Sequence, residues 1–298
     1  MNDAARHGPR DPRTCAPIVE IVSAGNEVLL GDVLDTNTDW LCTQITHRGG
    51  LVRRTVMVRD DVPTIAAEIR GALARAPAIL FTVGGLGPTS DDRTLEGVAA
   101  GLGVGLALHP EAERLVARKY AEFHALGHVP FAQMNDSRRK MAMLPEGAEP
   151  LPNPVGGAPG VLCRREPTTL VSLPGVPGEL EAIFTSSFDR LFGDLFGAAH
   201  YEERALTVAT QDESAIADEL ARAEAEHPMV YVKSRAKQFG SARVIHITLS
   251  ARGCDAPAVA GLLNPAAEQL LSRIAAAGFA IAAADENVNE PGPRRGSS

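Results

Sequence analysis

The alternation of short apolar runs with helical segments limits the fold of this chain more than any other feature. IVEIVSAG (18–25), LVRRTVMV (51–58) and AILFTV (78–83) are rich in branched residues and have the length of buried strands. Between them lie DWLCTQITHRGG, which begins at Asp39, and PTIAAEIRGALARA, which begins at Pro63, both with helical features. This order predicts parallel strands joined by right-handed helical crossovers, and therefore a doubly wound α/β sheet.

The C-terminal third of the chain has a different order of elements. ERALTVAT, DESAIADELARAEAEH, VYVKSRA, ARVIHITLSARG, a long helix to Ala277 and FAIAAA read as β-α-β-β-α-β. We therefore expect a larger α/β domain over residues 17–197 and a smaller α+β domain over residues 200–285. Residues 1–16 and 286–298 are rich in proline, glycine and charge, which predicts disordered tails.

The loop after the third strand, TVGGLGPTSDDRT (82–94), is the first candidate site. Loops at the carboxyl ends of strands bind ligands in sheets of this kind. Gly84, Gly85 and Gly87 let the backbone approach a ligand closely, and free N–H groups at the next helix start attract anions. The spacing matches neither a Walker A loop nor a dinucleotide-binding fingerprint. The loop therefore predicts a phosphate cradle of another kind.

Acidic residues accompany these glycines and would repel an anion unless a cation lies between them. Asp92 is the candidate ligand for a divalent metal ion, Mg²⁺ or similar, and Asp60 follows the second strand. The motif leaves a second interpretation open, because Thr89 to Asp92 fits the S/T-x-x-D/E capping pattern. Asp60 and Asp61 could likewise cap the helix near Pro63.

The loop after the first strand has the same small and acidic character. It contains Asn26, Glu27, Thr36 and Asn37, although residues 35–38 could simply cap the helix near Asp39. Three adjacent loops of this composition favour a ligand site over plain turns.

Charge and hydropathy argue against two classes of partner. With 29 Lys+Arg and 37 Asp+Glu the formal charge is -8, which disfavours nucleic acid and anionic membranes. The basic hairpin VKSRAKQFGSAR is better interpreted as a solvated strand edge. The sequence has neither an apolar run of bilayer length nor an apolar secretory segment. We therefore expect a cytoplasmic protein.

Five segments, taken in order, resemble the CinA family of competence/damage-inducible proteins. They are GNEVLLGDVLDTN, the Asp60 position, GGLGPTSDDRT, PNPVGGAPG and LPGVPGEL. In that family the N-terminal part is a molybdopterin-binding domain similar to MoaB and Mog. The resemblance implies a three-layer α/β/α sandwich followed by a small second domain.

The resemblance also implies roles for individual residues. Asp60 and Asp92 match the acidic positions around a metal and a diphosphate, which makes them the candidate catalytic and metal-binding residues. The candidate substrate-binding residues come from the same loops and from the later glycine-rich segments: Gly25, Asn26, Glu27, Thr36, Asn37, Gly84, Gly85, Gly87, Thr94, Asn153, Gly157, Gly160, Pro174 and Gly175.

The activity implied by the resemblance is metal-dependent hydrolysis of a nucleotide diphosphate such as ADP-ribose. The alternatives are molybdopterin or nucleotide binding, adenylylation in molybdenum cofactor metabolism, and a non-catalytic binding module. Many CinA proteins continue into a nicotinamide mononucleotide deamidase domain, and we expect that activity to be absent from this chain. The expected partners are a nucleotide or pterin ligand and a second copy of the chain, as a homodimer.

Overall fold

The computed structural model describes residues 11, 14–210, 212–239 and 242–282. The chain divides into two compact units, Met1–Ala199 and His200–Ser298. The predicted disordered tails fall almost entirely outside the described residues. Ala16, at the inner end of the first tail, is buried.

The larger unit contains eight strands among its described residues. They are β1 (Ile18–Ala24), β2 (Leu51–Val58), β3 (Ile79–Val83), β4 (Leu106–Leu108), β5 (Met143–Pro145), β6 (Glu149–Leu151), β7 (Gly160–Arg165) and β8 (Thr168–Leu173). Six of them form one sheet in the order β2-β1-β3-β8-β7-β6, and β4 pairs with β5 in a separate ribbon. The first four strands of the sheet run parallel, so their carboxyl ends meet at one edge.

Seven helices accompany these strands. They are α1 (Asn26–Leu30), α2 (Thr36–His47), α3 (Val62–Arg75), α4 (Thr94–Leu102), α5 (Pro110–Ala125), α6 (Asp136–Lys140) and α7 (Pro177–Phe196). Helices α3, α4 and α5 share one apolar cluster with the sheet, and α2 and α7 share a second one. Leu80 of β3 belongs to the first cluster and its neighbour Phe81 to the second, so this strand is covered on both faces. The predicted three-layer α/β/α sandwich is confirmed.

Helices α1 and α2 differ from the expectation. Helix α2 begins at Thr36 rather than Asp39, because the side chain of Asp35 accepts a hydrogen bond from the backbone N–H of Thr38 (2.9 Å). Helix α1 occupies a segment that the sequence indicated only as a polar loop.

The smaller unit has its own sheet and core. Its elements are β9 (His200–Val208), a 3₁₀ turn (Glu213–Ile216), α8 (Ala217–Glu226), β10 (Val230–Phe239), β11 (Ala242–Gly253), α9 (Ala256–Ala276) and β12 (Ile281–Ala282). The sheet is antiparallel in the order β10-β11-β9-β12, and it shares one apolar cluster with both helices. The element order is the predicted β-α-β-β-α-β, with the basic strand β10 at a sheet edge.

No helix in the described part of the chain is both long enough and apolar enough to cross a bilayer.

Candidate functional site

Hydrogen bonds join the loops at the carboxyl edge of the larger sheet. The backbone N–H of Asn26, after β1, donates to Oδ2 of Asp60, after β2 (2.8 Å). The side-chain amide of Asn37 donates to the carbonyl oxygen of Gly175, after β8 (2.6 Å). Parallel strand order therefore brings together residues that lie far apart in sequence.

The glycine loop after β3 fits its surroundings only without side chains. Gly84 has φ +92°, and a Cβ there would lie 2.2 Å from the carbonyl oxygen of Ala24. Gly85 has φ +62°, and its Cβ would lie 2.3 Å from Oγ1 of Thr94. The backbone therefore lies directly against the end of β1 and the start of α4, in a conformation that favours glycine.

This packing leaves several donors in the loop without an acceptor. Within the described part of the chain, the backbone N–H groups of Gly85, Leu86 and Gly87 donate to no protein atom. The hydroxyl of Thr94 is also buried and has no hydrogen-bond partner among the described residues. Successive unpaired backbone N–H groups in a glycine-rich turn can bind an anion, so this loop has the chemistry of a phosphate cradle.

The carboxylate of Asp92 closes the turn that follows the glycines. Its Oδ2 accepts hydrogen bonds from the backbone N–H (2.9 Å) and the hydroxyl (2.6 Å) of Thr89. Helix α4 starts only at Thr94, and its N-cap Arg93 makes no side-chain capping bond. Asp92 therefore does not cap this helix, although Thr89 to Asp92 fit the capping pattern.

Asp60 and Asp61 are neighbours with different roles. Asp61 caps α3, because its Oδ2 accepts a hydrogen bond from the backbone N–H of Thr64 (3.0 Å). Asp60 points to the first loop instead. The pKa of Asp60 is raised overall. Burial raises it most, the negative charges of Glu27 and two further aspartates raise it as well, and the hydrogen bond from Asn26 opposes them.

These further aspartates are Asp91 and Asp92, so acidic groups from three loops act on one another. Such an accumulation of negative charge favours a bound cation.

Lys140 of α6 contributes a positive charge that the sequence did not indicate. Its Nζ donates to the carbonyl oxygens of Gly87 (2.9 Å) and Asp92 (2.6 Å), at the two ends of the turn. Burial lowers the pKa of Lys140, while the charges of Asp92, Glu96 and Asp91 raise it. The only signal in the sequence was the basic run SRRK.

The donor set bears on the predicted metal. In the described ranges no group of three or more His, Cys, Asp or Glu residues is arranged to hold a metal ion. Mg²⁺ commonly binds one or two carboxylates and takes its other oxygens from water and ligand phosphates. Asp60 and Asp92 beside a phosphate cradle fit that pattern, and they do not fit an all-protein metal cage.

A cleft of about 380 Å³ opens beside the glycine loop, a volume at the lower end of the range of small-molecule sites. Several predicted residues line it: Glu27, Gly84, Gly85, Gly87, Asp92, Gly157, Pro174 and Gly175. Sequence reasoning missed Tyr120, Met141 and Glu179, which also line it.

Asn153 shapes the cleft indirectly. Its amide nitrogen donates to the carbonyl oxygen of Ala158 (2.7 Å) and to Oε2 of Glu179 (2.7 Å). Its amide oxygen accepts a hydrogen bond from the backbone N–H of Gly156 (2.8 Å). Asn153 is buried, so its side chain folds the loop that presents Gly157 to the cleft.

Besides Asn153, seven predicted residues do not line the cleft: Gly25, Asn26, Thr36, Asn37, Asp60, Thr94 and Gly160. Gly160 lies in β7, where a Cβ would be 3.0 Å from Cγ2 of Ile183. Thr36 is exposed at the first residue of α2. The backbone N–H of Gly25 donates to the carbonyl oxygen of Val58 (3.1 Å), which joins the first loop to the end of β2.

The region that contains these loops matches a known family. The model of the family described as "Probable molybdopterin binding domain" matches residues 20–192. The chain belongs to this family. Every candidate site residue lies inside the matched molybdopterin-binding domain, and the predicted likeness to CinA and MoaB/Mog proteins is confirmed.

Individual relatives agree with this assignment. The crystal structure of CinA from Thermoplasma acidophilum, described as of unknown function, is 34% identical with a TM-score of 0.54, over 60% of this chain and 99% of that chain. A protein of Aeropyrum pernix is 44% identical over 218 residues, 73% of this chain and 78% of its own. A protein of Pyrobaculum arsenaticum is 39% identical over 252 residues, 84% of this chain and 92% of its own. The expected homodimer and cytoplasmic location stay predictions.

Proposed function

We propose that the molybdopterin-binding domain hydrolyses the diphosphate bond of a nucleotide such as ADP-ribose with the help of a divalent cation. One observation supports this most directly. The unpaired backbone N–H groups of Gly85, Leu86 and Gly87 lie in the same loop system as the carboxylates of Asp60 and Asp92. In a metal-bound diphosphate, the negative phosphate oxygens suit the N–H groups and the positive metal ion suits the carboxylates.

Each group has a distinct role in this proposal. The N–H groups of the glycine loop hold the non-bridging phosphate oxygens, and Asp92 holds the cation. When bound, the cation supplies Lewis-acid polarisation of a phosphoryl oxygen. Asp60 orients a water molecule and accepts its proton as the water oxygen bonds to phosphorus and the bridging P–O bond breaks. The products are two monophosphates.

The family match favours a second candidate function. A molybdopterin-binding domain can hold the phosphate of a pterin in the same cradle, with or without transfer of a nucleotidyl group. Both candidates need the glycine loop, and only the first needs hydrolysis.

Product-resolved chromatography of the purified chain separates the two. ADP-ribose, FAD, NAD and molybdopterin are each incubated with Mg²⁺, Mn²⁺ or a chelator. AMP and ribose 5-phosphate should form from ADP-ribose only when metal is present. Metal-dependent binding of molybdopterin without products would instead support the second candidate, and no binding of any phosphate ligand would refute both.

Asp92→Asn tests the metal role directly. It should abolish metal-dependent turnover, or metal-dependent affinity if there is no turnover, because a neutral amide is a poor ligand for a hard cation. The amide oxygen can still accept the hydrogen bonds from Thr89, so the melting temperature should change by only about 4 °C or less.

Asp60→Asn should also remove turnover. Asp61→Asn is its matched control, since asparagine caps a helix about as well as aspartate. Full metal-dependent activity in Asp92→Asn would contradict the proposed mechanism.

A further inference from the structure

A second cavity, of about 280 Å³, adjoins the cleft. The two share Gly85, Leu86 and Asp92, so the glycine loop forms a wall of both. The lining of the second cavity comes from α4, the β4–β5 ribbon and the end of α6. Its further side chains are Leu95, Glu96, Leu106, Lys140 and Met143.

We propose that this cavity binds the ring of the ligand, a planar heterocycle with an exocyclic amino group. The inference rests on the proposed function, because it places the diphosphate at the shared glycine loop. A diphosphate with two different ends can then extend into both cavities. The ring enters the smaller, more apolar one, and the sugar lies in the cleft beside Glu27 and Glu179.

The side chains of the second cavity suit the faces of a ring. Leu86 and Leu95 are buried, and Leu106 and Met143 are half-buried. Apolar surface of this kind stabilises a ring by removing it from water, and a methionine sulfur adds favourable contacts with aromatic edges. The cavity is smaller than most sites for whole ligands, which start at about 300 Å³, so it fits one part of a nucleotide.

The polar side chains suit the edge of a ring. Oε2 of Glu96 accepts a hydrogen bond from Nη2 of Arg93 (3.0 Å), and Oε1 accepts none from the described residues. Oε1 is therefore available to an amino group. Lys140 uses two of its three donors on backbone carbonyls and keeps one for a ring nitrogen or carbonyl. Adenine and pterin rings both offer this pair of groups.

Calorimetric titration in the presence of Mg²⁺ tests the inference with two probes, ADP-ribose and inorganic pyrophosphate. Leu106→Trp fills the cavity, and Leu108→Trp is the control because it lies on the same strand with its side chain exposed. Leu106→Trp should weaken ADP-ribose binding by about tenfold or more, roughly the loss of one good contact, and leave pyrophosphate binding unchanged. Leu108→Trp should change neither.

Glu96→Gln keeps the inference testable if Leu106→Trp fails to fold, because this side chain is partly exposed. The wild type should prefer ADP-ribose to its hypoxanthine analogue, which lacks the amino group, and the variant should lose that preference. A parallel titration with 6-hydroxymethylpterin diphosphate distinguishes an adenine ring from a pterin ring. The ligand that loses more affinity in the two variants is the one whose ring occupies the cavity.

The two proposals fail in different ways. If pyrophosphate binds and neither variant changes the binding of any ring-bearing ligand, the inference is overturned and the proposed function stands. If the wild type does not bind pyrophosphate with Mg²⁺, the phosphate cradle is wrong, and both proposals are overturned.

Discussion

Glu20→Gln should destabilise the molybdopterin-binding domain through a buried ion-pair network. Glu20 lies in β1 with only 2% of its side chain exposed. Its Oε1 contacts Nη2 of Arg53 (2.7 Å), and its Oε2 contacts Nη2 of Arg75 (2.7 Å). Glutamine keeps the shape of the side chain and removes the charge that both arginines contact.

The size of the effect follows from the exposure of the partners. Breaking a fully buried ion pair costs about 3–5 kcal/mol. Here both arginines are 37% exposed, so water can partly replace the lost contact. The amide oxygen of glutamine also retains one hydrogen bond. We therefore expect the free energy of unfolding to fall by about 2–3 kcal/mol, and the melting temperature by about 4–12 °C.

The loss should also depend on pH. Burial raises the pKa of Glu20, but the hydrogen bonds and charges of Arg75 and Arg53 outweigh it and lower the pKa from 4.5. A carboxyl with a lowered folded-state pKa contributes stability above its unfolded pKa and loses it as the pH falls through the folded pKa. The difference between wild type and Glu20→Gln should therefore be largest near neutral pH and shrink below about pH 4.5.

Urea unfolding monitored by tryptophan fluorescence is a suitable assay. The chain has a single tryptophan, Trp40, whose ring packs edge-on against Phe184 at 5.2 Å in the same domain. Glu68→Gln is the matched control, because Glu68 pairs with Arg54 at the surface (3.6 Å). This variant should lower the free energy of unfolding by less than about 1 kcal/mol. Equal losses in both variants, or a difference that persists at low pH, would refute the reasoning.

Three further changes test the loops of the site. Gly85→Ala should lower the free energy of unfolding by about 1–3 kcal/mol and abolish phosphate binding, because a Cβ collides with Thr94; thermal denaturation and a pyrophosphate titration measure both effects. Lys140→Met should speed amide hydrogen exchange across residues 87–92 by removing two hydrogen bonds, and Lys140→Arg should partly restore protection. Asn153→Ala should lower the free energy of unfolding by about 1–3 kcal/mol, because loop 153–158 loses its internal hydrogen bonds. It should also raise KM more than it lowers kcat, and unchanged steady-state kinetics would contradict this.

The order of the first three strands, the helices between them and the elements of the smaller unit could be predicted from the sequence, because the patterns that encode them are local. The run AILFTV is apolar except for Thr82, since β3 is covered on both faces and every side chain is buried. Glycines directly after such a strand indicate a loop that approaches its neighbours closely, and Gly84 and Gly85 do so. The smaller unit was predicted for the same reason, from its alternation of strand and helix patterns.

The roles of the acidic residues were decided only by the tertiary structure. Asp60 and Asp61 carry the same local signal, and what separates them is the N–H of Asn26, which lies 34 residues away from Asp60. Lys140 contacts Gly87 across 53 residues, and no pattern within α6 reports that contact. Propensity and capping act within one or two turns of chain, whereas charge and hydrogen bonding in this site act between loops that meet only because four strands run parallel in one sheet.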